Sequence, residues 1–229
     1  MREAVLILGD SVTVGAGFSG VEESTAYVSL LQNTFDDSGI GARLDRSAID
    51  GVDTSYALRR FNRMVGRRQP NIVVVALGLN DAQPPGGRSG SDPIQYRENL
   101  CRIAEKVLAL DANPVFATPS PRIDVEHRDG PAWRTMEPYA EQARDVAGQF
   151  GAPTIELYDR FIARRDLDGL LPDRLHPGPE GHRLIADAFA ETLVPLCRER
   201  ALTGVADVDI DGQFELNSAD LGQLAGAFC

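Results

Sequence analysis

The sequence predicts an α/β protein built on a parallel sheet, because short apolar runs and longer amphipathic segments alternate along it. The unbroken, largely β-branched run at residues 72–77 is the clearest buried strand, since strands covered on both faces are apolar throughout. Residues 94–110 follow it with apolar side chains at helical spacing. Strands separated by helices pair in parallel through right-handed crossovers. Ligands of such sheets bind outside the carboxyl ends of the strands.

The remaining elements of the first half fit the same alternation. Residues 4–8 are a continuous apolar run and predict the first strand. Residues 24–35 predict a helix, because a serine and a threonine at the start can cap it and apolar side chains then recur at helical spacing. A short strand is expected at 42–48 and a helix at 53–66.

The second half continues the pattern and ends in a long helix. It is predicted to contain a strand at 115–117, a helix at 134–150, a strand at 154–157 and a helix at 179–200. The stretches 81–93 and 119–133 lack periodicity, are rich in Pro and Gly, and each follow a strand. We therefore expect these two loops to form the rim of a pocket at the carboxyl edge of the sheet.

The composition limits the classes of function. A chain of 229 residues with 43% apolar residues can bury the core of one α/β domain with a modest appendage. The net charge of −11 argues against nucleic acid and anionic membranes as partners, and no apolar run is long enough to cross a bilayer. The three cysteines are irregularly spaced and odd in number, so they predict no disulfide framework.

Two motifs far apart in the chain supply a nucleophile, a base and an acid. Ser11 comes directly after the first strand, in Gly-Asp-Ser, and Asp173 stands three residues before His176 near the last helix. A serine hydroxyl is a poor nucleophile until a histidine takes its proton, and that histidine must be oriented by a carboxylate. Pro177 keeps His176 out of the following helix. His182, inside that helix, is predicted to face solvent.

Two further motifs supply hydrogen-bond donors at other strand ends. Gly51 lies in a turn between a strand and a helix, where a backbone N–H is free to face a ligand. Asn80 follows the clearest strand and offers an uncharged NH₂ group, which suits a developing oxyanion. Taken singly, the Gly51 motif is better explained as an ordinary turn at the start of a capped helix, and the Asn80 motif is also explained by a turn that ends a strand.

In combination, the four motifs resemble the SGNH (GDSL-type) hydrolase family over residues 4–200. The letters of the family name correspond here to Ser11, Gly51, Asn80 and His176. The resemblance implies that Ser11, His176 and Asp173 form a catalytic triad, and that Ser11, Gly51 and Asn80 form the oxyanion hole. It also implies a flavodoxin-like α/β/α sandwich with five parallel strands, and no cofactor for catalysis.

The function expected from this resemblance is hydrolysis of carboxylic esters through an acyl-enzyme. The polar, short loops favour a short acyl group, with a carbohydrate acetylesterase as one form of this activity. Two alternatives are a lysophospholipase or thioesterase of the same fold and a non-catalytic binding protein that retains the fold. An acyltransferase that uses the same site is a third.

The C-terminal segment does not fit the α/β alternation, so we divide the chain into a hydrolase domain at 1–200 and an acidic tail at 201–229. Asp207, Asp209 and Asp211 match the first half of a calcium loop. The stretch that follows resembles half of a dockerin-type repeat, and a single repeat argues against a working partner surface for a cohesin. We expect a cytoplasmic protein if Met1 is the natural start, and an exported one if a leader has been removed.

Overall fold

The computed structural model describes residues 3–83, 90–123 and 135–206, the last six of these by backbone only. Five parallel strands form one sheet in the order β2-β1-β3-β4-β5. The strands are β1 (Ala4–Gly9), β2 (Arg43–Ala48), β3 (Ile72–Ala76), β4 (Asn113–Ala117) and β5 (Thr154–Ile155). This order is that of flavodoxin-like proteins, and the predicted fold class is confirmed.

Helices cover both faces of the sheet. They are α1 (Ser11–Val14), α2 (Tyr27–Asp37), α3 (Thr54–Arg59), α4 (Phe61–Met64), α5 (Pro93–Leu108), α6 (Glu137–Gln149), α7 (Tyr158–Ile162), α8 (Leu167–Leu170) and α9 (Pro179–Ala206). Helices α2 and α9 pack together, as do α5 with α3 and α6. An apolar core lies on each side of the sheet, so the protein is a three-layer sandwich.

The register brings the carboxyl ends of three strands to one level. Gly9 at the end of β1 aligns with Ala48 of β2 and with Ala76 of β3. The chain passes from β1 to β2 on one side and then returns to place β3 on the other side. Such a reversal leaves a crevice at the carboxyl ends of the two strands, which locates the expected site between β1 and β3.

Several element boundaries differ from the prediction. The helix expected at 53–66 is two helices, α3 and α4, because the backbone leaves helical geometry at Arg60. The strand expected at 154–157 is only two residues long, since it pairs as an edge strand with the end of β4 alone. Helices α1, α7 and α8 have four or five residues each, which is too short for a periodic pattern to reveal.

Helix α9 runs past residue 200, where we placed the boundary of the hydrolase domain. The division of the chain into two parts therefore stays a prediction. In the part of the chain that the structure describes, no helix is both long enough and apolar enough to cross a membrane.

Candidate active site

Ser11 is presented at the carboxyl edge of the sheet by a tight turn from strand into helix. Strand β1 ends at Gly9, and the Asp10 side chain caps α1 by accepting the Val12 N–H at 3.0 Å. A Cβ at Gly9 would lie 1.9 Å from the Thr13 hydroxyl oxygen, so only glycine allows this turn to close. Ser11 is then the first residue of α1, and 3% of its surface is exposed.

His176 meets Ser11 although 165 residues separate them in the chain. The imidazole Nε2 lies 3.0 Å from the Ser11 Oγ. Phe18 stacks on the imidazole, with 4.4 Å between ring centroids, and the Ser19 hydroxyl donates to the His176 carbonyl at 2.9 Å. The loop after α1 therefore holds both the ring and the backbone of the histidine.

Asp173 orients the other side of the imidazole. Its Oδ2 lies 2.7 Å from Nδ1 of His176, and its Oδ1 accepts the backbone N–H groups of Leu175 and His176 at 2.9 and 2.6 Å. Partial burial by itself raises the pKa of the Asp173 carboxyl, but the hydrogen bonds from His176 and Leu175 together lower that pKa below its ordinary value. Asp173 is thus an anion near neutrality, and it favours the tautomer with the proton on Nδ1.

Gly51 lies in the turn that follows β2, next to the start of the Ser11 turn. Ile49, in the same turn, donates its N–H to the Gly9 carbonyl at 3.3 Å. Gly51 has a φ of 72°, and a Cβ there would meet no atom within 4 Å, so the backbone angle rather than space calls for glycine. The backbone N–H groups of Ser11 and Gly51 donate to no acceptor among the described residues.

Asn80 connects these two turns. Its Nδ2 donates to the Val52 carbonyl at 3.1 Å and lies 3.4 Å from Oδ2 of Asp10. The residue is buried, with 9% of its surface exposed. The structure therefore brings together the residues that sequence analysis assigned to the triad and to the oxyanion hole, and it does so at the ends of β1, β2 and β3.

A buried network around Asp81 joins the Asn80 turn to α3. Thr54 donates its N–H and its hydroxyl to the Asp81 carboxylate, and Ser91 donates its hydroxyl at 2.6 Å. Asn99 on α5 completes the network by donating to the Thr54 hydroxyl at 3.0 Å. The local sequence does not reveal this network, because Thr54, Ser91 and Asn99 are ordinary polar residues whose partners are 10 to 45 positions away.

His182 does not face solvent as predicted. It is 1% exposed, and its Nδ1 accepts the backbone N–H of Tyr27 at 3.1 Å. Burial lowers the pKa of its imidazole to about 4. The prediction was wrong because helical position alone does not show that α2 packs over this side of α9.

The predicted calcium ligands Asp207, Asp209 and Asp211 lie outside the described residues. So do the central part of the loop at 81–93 and much of the loop at 119–133. Their contribution to a pocket rim stays a prediction.

Comparison with known proteins agrees with this site. The GDSL-like lipase/acylhydrolase family matches residues 7–184, a span that includes Ser11, Asn80 and His176. The chain belongs to this family. Membership confirms the resemblance to SGNH hydrolases, while the role of each residue in this chain rests on the geometry above.

Curated relatives of this GDSL-like protein are esterases of more than one kind. It is 26% identical to esterase TesA of Pseudomonas aeruginosa over 195 residues, which cover 85% of this chain and 89% of the relative. It is also 26% identical to an acetylxylan esterase of Geobacillus stearothermophilus over 212 residues, covering 82% of this chain and 92% of that protein. Thioesterase 1/protease 1/lysophospholipase L1 of Escherichia coli is 26% identical over 194 residues, with 85% of each chain covered.

Solved structures show the same fold. The acetylxylan esterase Axe2 from Geobacillus stearothermophilus superposes with a TM-score of 0.71 at 22% identity, covering 82% of this chain and 93% of that one. A crystal structure of TesA gives a TM-score of 0.69 at 24% identity, covering 85% and 99%.

Proposed function

We propose that this protein hydrolyses carboxylic esters of short acyl groups through a covalent acyl-serine. The observation that carries the proposal is the continuous chain from the Ser11 hydroxyl to the His176 imidazole at 3.0 Å and on to the Asp173 carboxylate at 2.7 Å. Serine hydrolases on unrelated folds use this arrangement. Membership of a lipase and acylhydrolase family supports the same chemistry.

In the first half of the reaction the Ser11 Oγ attacks the ester carbonyl while Nε2 of His176 takes its proton. The carbonyl oxygen, on which negative charge develops, accepts hydrogen bonds from the backbone N–H groups of Ser11 and Gly51 and from the Asn80 amide. Asp173 stabilises the imidazolium, because its carboxylate accepts the Nδ1 proton. His176 then protonates the leaving alcohol.

In the second half, water replaces the alcohol. Nε2 of His176 takes a proton from the water as it attacks the acyl carbonyl, and the Ser11 oxygen leaves with that proton. The nucleophile, the base, the acid and the oxyanion donors of these two steps all belong to the chain itself, so the proposed reaction involves no cofactor.

An acetyl ester of a carbohydrate is the substrate class that we favour. The acetylxylan esterases among the relatives and the matching structures support it. The Escherichia coli thioesterase and lysophospholipase is equally similar, so hydrolysis of longer acyl groups is the second candidate. A series of 4-nitrophenyl esters of increasing acyl length, assayed beside acetylated xylan, separates the two by the chain length at which kcat/KM is highest.

The central test compares wild-type protein with Ser11→Ala. We expect the wild type to hydrolyse a chromogenic acetyl ester and to be labelled by a fluorophosphonate, and Ser11→Ala to do neither while keeping its circular dichroism spectrum. Ser24→Ala is the matched control, because Ser24 is exposed and lies outside the site. Hydrolysis by Ser11→Ala disproves the mechanism. An inert, unlabelled wild-type protein favours a binding protein instead.

For the tail, residues 201–229, the proposal rests on sequence alone: Asp207, Asp209 and Asp211 bind calcium through their carboxylates. Calorimetric titration of the full chain with CaCl₂ tests it, with Asp209→Ala as the comparison. Equal heats for the two proteins contradict the proposal. Pull-down with a cohesin domain tests separately whether the tail binds such a partner, as its resemblance to a dockerin repeat suggests.

A further inference from the structure

Asp10, the residue before the proposed nucleophile, is a buried carboxyl group that has no cationic partner in the described part of the chain. It is 2% exposed. Its Oδ1 accepts the Val12 N–H at 3.0 Å, and its Oδ2 lies 3.4 Å from Nδ2 of Asn80. Among the described residues no arginine, lysine or histidine forms an ion pair with it.

The groups that surround Asp10 disfavour its ionised form. Asp81 and Asp50 add negative potential, and the neighbouring phenols of Tyr27 and Tyr96 are themselves buried and uncharged. Burial is the largest effect and raises the pKa of Asp10 to about 7, although the Val12 N–H favours the anion. Asp10 is therefore protonated below about pH 7 and ionises as the pH rises above it.

The hydrogen bonds of Asn80 show why this proton matters. An amide nitrogen carries two protons, and in this structure one is donated to the Val52 carbonyl while Oδ2 of Asp10 is the acceptor nearest to the other. The proposed oxyanion needs that second proton. A carboxylate at Asp10 would compete for it strongly and would place a negative charge beside a developing one, whereas a neutral carboxyl is a weak competitor.

We propose that Asp10 is a positioning residue which must be protonated for the Asn80 amide to serve the oxyanion, so that ionisation of Asp10 switches the reaction off. The inference rests on the proposed function. It assigns to Asp10 an effect on kcat rather than on substrate binding, because the oxyanion exists only after Ser11 has attacked. The switch involves one proton exchanged with solvent and no covalent step.

The test is the pH dependence of kcat and KM for the wild type and for Asp10→Asn, which carries no charge at any pH. In the wild type we expect kcat to fall about fiftyfold between about pH 7 and pH 9, as Asp10 ionises, with KM nearly constant. In Asp10→Asn we expect kcat to stay within about threefold of the wild-type maximum and to lose this alkaline fall. Asp50→Asn is the matched control, because Asp50 is exposed and contributes to the same local potential, and it should keep the fall.

Two results overturn the inference. One is a wild-type kcat that does not fall over this range of pH. The other is an Asp10→Asn variant that is folded by circular dichroism and loses about a hundredfold or more in kcat, which would show that Asn80 needs a carboxylate. Infrared difference spectra give a readout independent of activity: a protonated carboxyl band in the wild type near pH 6 that Asp10→Asn lacks supports the proposal, and its absence contradicts it. Failure of the proposed function is distinguishable, since it leaves the wild type without hydrolysis or Ser11 labelling at any pH.

Discussion

At the scale of single residues, the proposed oxyanion hole depends on one side chain and two backbone amides. Mutation can remove the Asn80 donor without changing the backbone, because Asn80 reaches the Ser11 and Gly51 turns through its side-chain amide. Gly51 and Ser11 contribute through N–H groups that no side-chain change deletes. Asn80 therefore offers the cleanest measure of how much the oxyanion contacts contribute.

We predict that Asn80→Ala lowers kcat by about 10²–10³ and changes KM much less, because oxyanion contacts form only in the transition state. Steady-state kinetics on a chromogenic acetyl ester measure both constants. Asn33→Ala, on the exposed side of α2, is the control and should behave as wild type. A kcat for Asn80→Ala within threefold, or about 0.7 kcal/mol, of wild type would exclude Asn80 from the oxyanion hole.

At the scale of elements, the site is formed where three strand ends lie level and where side chains cross-link the turns after them. The Asp81 carboxylate holds Thr54 at the start of α3 and Ser91 before α5. Because Asn80 precedes Asp81 and its amide binds the Val52 carbonyl near Thr54, the same network also sets the distance between the Asn80 and Gly51 turns.

We predict that Thr54→Val lowers the free energy of unfolding by about 1–3 kcal/mol, since it leaves Asp81 short of a buried hydrogen-bond donor. Urea denaturation monitored by circular dichroism measures the change. Ser55→Ala is the control: Ser55 accepts from the same Asn99 side chain but is only half-buried and does not contact Asp81, so its cost should be under about 1 kcal/mol. Equal losses in the two variants would contradict a central role for the Asp81 contact.

The same scale shows why the sequence predicts some elements better than others. Strand β3 and helix α5 were predicted within two residues at each end, because each carries its own apolar pattern. The break between α3 and α4 and the shortness of β5 were missed. The break is a change of backbone angles at the single residue Arg60, and the length of β5 is set by its pairing with the end of β4; local periodicity records neither.

At the scale of the whole molecule, two buried groups couple folding to pH in opposite directions. Asp10 has a pKa raised from 3.8 to about 7. Between these two pH values the folded state holds the Asp10 proton and the unfolded state has released it. This contribution to stability is therefore complete below about pH 3.8 and is lost as the pH rises through about 7. His182 has a pKa lowered from 6.5 to about 4, so the unfolded state binds the extra proton and stability is lost as pH falls from 6.5 to 4. The contributions are on the order of 4 kcal/mol for Asp10 and 3 kcal/mol for His182, and they largely cancel between about pH 4 and pH 6.5.

We predict that removing one of these two groups leaves only the pH dependence that the other imposes on the free energy of unfolding. For Asp10→Asn the free energy of unfolding should fall by about 2–3 kcal/mol between about pH 6.5 and pH 4.5, because only the His182 effect remains. For His182→Gln, the side-chain oxygen can still accept the Tyr27 N–H. The free energy of unfolding of this variant should instead rise as the pH falls from about 6.5 to 4.5, because only the Asp10 effect remains. Urea denaturation at several pH values gives both curves, with the wild type between them. Parallel curves for the three proteins would show that these groups do not titrate as described.

The sequence by itself determined the α/β alternation, the family and the identity of the residues at the strand ends, because strand ends, turns and short motifs are local. It also placed Asp173 beside His176, since three residues of loop suffice for that contact. Only the tertiary structure decided that His176 reaches Ser11, that His182 is buried against α2, and that Asp10 lies beside Asn80 with no counter-ion among the residues described. These relations depend on strand register and helix packing between segments 70 to 165 residues apart, and burial, which sets the charge of Asp10 and His182, exists only once those segments have packed.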